Sequence, residues 1–373
     1  MNRPFSRLPE PWAFVRHFTP NWFAMTMGTG VLALVIAHLP FSFAGQWWLA
    51  QALWMLGVVL YVSFSVLLLG RVLCFRETVR PMLEHPVQSM FLGAIPMGMA
   101  VLINGLLLFC EPRWGAVVVN VAHVLWWLCA ALALLSALWV PYLMFTRQEH
   151  ALEKLTGVWL LPIVAPEVAA NVAGNLMHYL PAGSARVLWV CGLLLWGMSL
   201  ALAFSLITLI LLRLAIHKLP DVSFAATSWL PLGPLATGAL GLLCLTHEAH
   251  LALAGTPLEN LAQSIQGLGL LGGLTLWGAG LWWFLIALLF TRRYLRQRMQ
   301  FNLGWWGFTF PLGVFALATF ELQRQTEVKF FAVVGVVLAL LLALIWLQVM
   351  LRTLRGIWGG ELFQAPCLQA PQR

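Results

Sequence analysis

Ten long apolar runs follow one another along this chain, separated by short polar stretches. They cover roughly Asn21–His38, Trp48–Gly70, Gln88–Leu108, Gly115–Pro141, Leu155–Tyr179, Ala185–Leu212, Phe224–Leu245, Ser264–Phe290, Leu303–Phe320 and Phe330–Leu351. Each is close to or above the ~20 apolar residues that carry a helix across the hydrocarbon layer. The apolar residues are continuous rather than alternating, and the runs are far longer than a membrane-barrel strand. The pattern predicts an all-α integral membrane protein with ten transmembrane helices.

Composition narrows the class. Of 373 residues, 61% are hydrophobic and 9% charged, with a mean hydropathy of +0.87. Soluble domains carry about 25% charged residues, so a soluble body is excluded, and so apolar a chain is not disordered. Lys and Arg are unevenly placed. Seventeen of the 21 fall in the N-terminal tail, in the loops after the second, fourth, sixth and eighth runs, and in the C-terminal tail. By the positive-inside rule both termini are expected in the cytoplasm. The expected division is a cytoplasmic tail at 1–19, a ten-helix domain at 20–352 and a second cytoplasmic tail at 353–373, in the plasma (inner) membrane. The cluster Arg292, Arg293, Arg296 and Arg298 reads as a topology anchor, with an anion-recruiting vestibule as the alternative. The net charge of +8 is explained by this topology and does not imply nucleic acid. The first 20 residues carry prolines and arginines without a short apolar core, so no cleavable signal is expected. The six cysteines lie in apolar runs and a tail and read as buried thiols.

Prolines reveal a repeat. Pro20 opens the first run, Pro96 lies in the third, Pro162 and Pro166 in the fifth, Pro231 and Pro234 in the seventh, and Pro311 in the ninth, while the even runs show no interior proline. A proline removes a helix hydrogen bond and bends its helix. Irregular backbone at membrane depth survives only inside protein or beside water. Five helical hairpins are therefore expected, with the odd helices as an inner ring around a central pathway and the even helices facing lipid.

Only Glu167 is a carboxylic acid near the middle of a run. Asn171 and Asn175 follow at i+4 and i+8, so the three are expected on one helix face. The stripe lines the pathway and Glu167 takes up protons, or else Glu167 is a hydrogen-bonded acid between helices; an intramembrane acid is a functional candidate by default. His123, on an even run, reads as a packing histidine. His247, Glu248 and His250 lack the i+4 spacing of HExxH and read as solvated loop residues. No catalytic residue, metal site or cofactor is expected, because an embedded enzyme needs a cluster that a single mid-membrane acid does not supply.

The segments PNWFAMTMGTG (20–30), HPVQSMFLGAIPMG (85–98), WLLPIVAPEVAA (159–170), SWLPLGPLATG (228–238) and GFTFPLGVFALAT (307–319) together resemble the tellurite-resistance/dicarboxylate transporter family. That family includes yeast malic-acid permeases, fungal sulfite exporters and plant slow anion channels. The resemblance implies quasi-fivefold symmetry about a pore in each protomer, a homotrimer, and passage of an anion such as a C4-dicarboxylate, sulfite or a small inorganic anion. It also implies an aromatic plug on the ninth helix, at Phe310 or at Phe308 two residues away. Pro20, Gly28, Gly30, Pro96, Pro162, Pro166, Pro231, Pro234 and Pro311 are the expected pore-lining or kink positions, and Glu167, Asn171 and Asn175 the polar pore or proton site. A proton-coupled carrier using Glu167 is the alternative to a gated pore.

Overall fold

A computed structural model describes residues 12–363 and 365–368. Most of the expected N-terminal tail, and positions 369–373 of the C-terminal one, lie outside the described residues. Among the described residues, ten helices are long and apolar enough to cross a membrane: α1 Pro20–Ala37, α2 Gln46–Cys74, α3 Ser89–Trp114, α4 Ala116–Thr146, α5 Gly157–Met177, α6 Ala182–His217, α7 Val222–His247, α8 Glu259–Arg296, α9 Leu303–Thr326 and α10 Lys329–Gly359. No strand occurs among the described residues.

Odd and even helices occupy different environments. The central stretches of α1, α3, α5, α7 and α9 are 56–94% buried, against 17–39% for the even helices. The odd helices close a ring, α1 on α3, α3 on α5, α5 on α7, α7 on α9 and α9 back on α1. Each even helix packs on its own odd partner and on the next odd helix, so α10 bridges α9 and α1. Five hairpins thus form an inner ring and an outer ring, and the outer faces are left to lipid.

The prolines act differently from the expected mid-span kinks. Every odd helix opens with a 3₁₀ turn, at Pro20–Trp22, Ser89–Gly93, Gly157–Trp159, Val222–Trp229 and Leu303–Phe308. The α-helical parts then start at Ala94, Leu160, Leu232 and Thr309 in α3, α5, α7 and α9. Pro96, Pro162, Pro234 and Pro311 are each the third residue of those parts, and Pro231 directly precedes the one in α7. A proline costs least there, since the first amides of an α-helix have no intrahelical acceptor. Pro166 does lie inside the α5 helix. So does Pro141 inside α4, which runs on to Thr146 past the expected end, and the even helices are therefore not proline-free.

A second repeat ties the rings together. In each even helix a tryptophan indole N–H donates to the following odd helix. Trp54 reaches the Leu102 carbonyl (3.0 Å), Trp126 that of Ala169 (2.9 Å) and Trp196 that of Gly238 (2.9 Å). Trp277 reaches the Thr319 hydroxyl (2.8 Å) and Trp346 the Thr29 hydroxyl (3.0 Å). Lipid supplies no hydrophobic drive between helices, so close packing and such bonds hold the rings together. Replacing the fully buried Trp126 by Phe keeps most of the ring volume and deletes the bond. We expect a loss of about 0.6–1.7 kcal/mol, read from denaturation of the purified variant in detergent.

At its end α10 turns back. Gly360 adopts φ 78°, open to glycine at no steric cost, and the Glu361 amide bonds to the Gly356 carbonyl (3.1 Å). This directs Leu362 and Pro366 toward the axis. Phe363 stacks on Trp22 with ring centres 5.3 Å apart.

Candidate functional site

Three spaces lie along the ring axis. Where the odd helices begin, a vestibule of about 900 Å³, the near vestibule, is walled by polar and apolar residues. It leads into a constriction of about 50 Å³ to which all five odd helices contribute. Ala24 and Met27 come from α1, Ala94 and Met97 from α3, Leu161 and Val164 from α5, Gly233 and Pro234 from α7, and Gly307, Phe310 and Pro311 from α9. Phe91, Val158, Thr227 and Gly304 border both spaces, so the two are continuous. Where the odd helices end lies a far vestibule of about 540 Å³.

The constriction and the far vestibule share no wall residue. The turn between them carries Val31, Val101, Val168, Thr237 and Val314, all buried. This buried layer and the apolar neck above it separate the two vestibules. An apolar constriction of this kind bars ions by excluding water.

The candidate residues separate. Phe310 is on the wall of the constriction. Phe308 is off the axis, edge-on to Trp229 and Trp305 with ring centres 5.6 and 6.0 Å away. Pro234 and Pro311 border the neck, whereas Pro20, Pro96, Pro162, Pro166 and Pro231 are not among the residues that line it. Gly28 and Gly30 lie at helix contacts instead: a Cβ on Gly28 would meet Thr309 of α9, and one on Gly30 would sit 2.7 Å from Val101 of α3.

The polar stripe of α5 divides. Asn171 and Asn175 line the far vestibule. Asn175 Nδ2 donates to Asn104 Oδ1 on α3 (3.0 Å). Glu167 does not share their face of the path. It is fully buried where α5 meets α6 and α7, with Oε2 3.1 Å from Ser199 Oγ on α6, Thr237 of α7 also beside the carboxyl, and no hydrogen bond to Oε1. A Cβ on Gly238 of α7 would stand 2.7 Å from that Oε1, so this glycine makes room for the carboxyl. At 3.6 residues per turn a step of four advances about 40° and a step of eight about 80°. The stripe therefore winds far enough to carry one end off the axis. The Ser199 hydroxyl also lies 2.7 Å from the Ile163 carbonyl. One hydroxyl proton serves only one of these acceptors, and a neutral carboxyl that itself donates to Ser199 satisfies both contacts.

Charge is concentrated in the vestibules. The far one contains the Glu321–Arg324 pair (2.6 Å) and Glu248, 3.7 Å from His178 Nδ1. Glu248 is therefore part of the wall rather than a solvated loop residue. His247 Nδ1 pairs with Gln266 Nε2 (3.0 Å), while His250 Nδ1 lies 3.0 Å from the His247 carbonyl, so these histidines do not converge. On the outer helix α4, His123 Nε2 accepts from Trp127 (3.2 Å). The near vestibule contains Arg352, Arg355, His85, Gln88 and Glu361. Neither arginine stood out in the sequence, because a basic residue at a helix end is also a topology signal.

Residues 17–354 match the family model described as voltage-dependent anion channel. The sulfite efflux pump of Trichophyton rubrum is 34% identical over 366 residues, 96% of each chain. The malic acid transport protein of Schizosaccharomyces pombe is 24% identical over 354 residues, 93% of this chain and 80% of that one. An uncharacterized transporter of Methanocaldococcus jannaschii is 26% identical over 361 residues, 94% of this chain and 96% of that one. With ten helices able to cross a membrane, the odd five in an inner ring, and a family match along almost its whole length, this chain belongs to the voltage-dependent anion channel family and transports anions.

Proposed function

We propose that the protein is a passive conduit for small oxyanions, sulfite foremost and a C4-dicarboxylate such as malate second, gated by Phe310. The carrying observation is the neck built from all five inner helices with the Phe310 ring on its wall, between two polar vestibules. Full-length similarity to sulfite efflux pumps supports sulfite, and similarity to a malic acid transport protein supports malate. In this reading both termini are cytoplasmic and the near vestibule opens to the cytoplasm, as the arginine distribution supports. The protein sits in the plasma membrane as a homotrimer, whose contacts use part of the apolar even-helix surface.

The other reading, a proton-coupled carrier, needs its proton site on the path. The position of Glu167, buried against Ser199 and off the walls of the neck and vestibules, weighs for the passive conduit. Glu167→Gln keeps a donor toward Ser199. We expect it to leave the dependence of flux on pH unchanged, with stability within about 1 kcal/mol of the parent; a lost pH response would restore the carrier. Flux of sulfite, malate, nitrate and chloride from proteoliposomes, with and without a pH gradient, tests the reading as a whole. Sulfite flux without a pH gradient is expected, and flux only when a gradient is imposed would refute a passive conduit.

A further inference from the structure

The near vestibule carries donors that the neck and its gate do not use. Arg352, near the end of α10, is only partly exposed and lies on that wall. Its guanidinium carbon is 4.8 Å from the centre of the Trp305 ring, in the opening turn of α9. Trp305 is itself fixed. It is buried, its indole N–H donates to the Gln300 carbonyl (3.0 Å), and Phe301 and Phe308 pack edge-on against it. A ring beneath a guanidinium holds the cation through its face and leaves the in-plane N–H donors unoccupied. No carboxylate or carbonyl pairs with Arg352 among the described residues, so the charge is oriented but unspent.

Two neutral groups border the same space. His85 Nδ1 accepts from the Val87 and Gln88 amides (3.1 and 3.2 Å). Burial also holds this imidazole below its ordinary range, so it is neutral near pH 7. With Nδ1 accepting, its proton sits on Nε2, a second donor. Gln88 is 5% exposed and borders the same space, where Nε2 of its amide is the donor. Of the charged wall residues, Arg355 is exposed with no ring beneath it among the described residues, and Glu361, the acid among them, is engaged in an interaction of its own.

We propose that the near vestibule holds a loading site for an oxyanion, with Arg352 on its Trp305 platform as the cation and His85 and Gln88 as neutral donors. The ligand class is a sulfite oxyanion or one carboxylate of a dicarboxylate, groups whose oxygens match a planar fork of donors. The site rests on the anion-conduit reading and adds to it where the anion is first captured. It sets the concentration at which flux saturates on one face, whereas the neck sets the limiting rate.

The test is sulfite flux against concentration in proteoliposomes sorted by orientation, so that each face is loaded in turn. Arg352→Gln is expected to raise the half-saturating concentration about tenfold from the near face, as expected for one lost charge-assisted contact. The near-face limiting flux should change less than twofold, which shows that the variant is folded, while flux at low concentration should fall about tenfold from either face, since a passive path has one permeability in both directions. Arg352→Lys keeps the charge without the stacked plane and should recover part of the shift. Trp305→Leu keeps the arginine, removes its platform, and should move the near-face value in the same direction. An unchanged near-face value in Arg352→Gln, with flux intact, overturns the site. Absence of sulfite flux in the parent protein defeats the conduit reading and the site with it, and is distinct from flux that persists without an Arg352 effect.

Discussion

Phe310→Ala should open the conduit. The Phe310 ring borders a neck of about 50 Å³ whose other walls are apolar, so an ion entering it must shed water with nothing offered in return. Truncation to alanine widens the neck and admits water. If the barrier falls by about 1.4–2.8 kcal/mol, flux rises about 10- to 100-fold. Phe308→Ala is the internal control. Its ring packs between Trp229 and Trp305 away from the axis, so its loss should cost about 3 kcal/mol of stability or more and leave the flux of the folded fraction near that of the parent. Flux in liposomes, normalised to folded protein, decides. Unchanged flux in Phe310→Ala, or a larger increase in Phe308→Ala, would remove the gate assignment.

Arg71→Met should destabilise the fold while leaving the conduit walls intact. Arg71 lies near the end of α2 and is fully buried, without a carboxylate partner among the described residues. Its guanidinium donates to the Phe18 carbonyl (2.5 Å), to the Thr78 hydroxyl (2.9 Å) and carbonyl (3.0 Å), and to Cys367 Sγ (3.7 Å). One side chain thus joins the segment before α1, the loop after α2 and the C-terminal tail. Methionine fills a similar volume and orphans both carbonyls, at about 1–3 kcal/mol each. A loss of about 3–5 kcal/mol is expected, with Arg71→Lys in between, since one ammonium cannot reproduce the planar fork. Denaturation in detergent measures both. A loss below about 1 kcal/mol in Arg71→Met would mean that water reaches these carbonyls. Arg213, at the end of α6, makes the same kind of junction by donating to the Glu153 and Lys218 carbonyls.

The architecture was readable in the sequence because lipid imposes a long period and the prolines mark it. Pro20, Pro96, Pro162, Pro231 and Pro311 recur at one per hairpin and identify the inner ring. Their local role was not readable, since choosing between a mid-helix bend and the junction of a 3₁₀ turn with an α-helix requires knowing where each α-helix begins. Trp54, Trp126, Trp196, Trp277 and Trp346 carry as regular a signal, one per even helix. It was hidden among 20 tryptophans, because an indole in a membrane helix is ordinarily read as bulk or as an interface anchor. Glu167 shows the limit of helical periodicity: its i+4 and i+8 partners line a vestibule while it faces the next layer of helices. Phe310 came forward only through family resemblance, as one phenylalanine among 23. Arg352 was counted as a topology charge, and only its seat on Trp305 distinguishes it.

The central claim is that anions travel along the axis of the five odd helices. It is tested most directly by placing single cysteines in a cysteine-free Phe310→Ala background and blocking with a negatively charged thiosulfonate. Malate or chloride flux is the readout, since sulfite itself attacks the reagent. Cysteine at Ala24, Ala94, Gly233 or Gly307, one from each of four inner helices, should be modified and should block flux. Cysteine at Val59, Leu135 or Leu340, on the lipid-facing even helices, should not. Block from the even positions, or full flux after modification of the inner ones, would contradict the account.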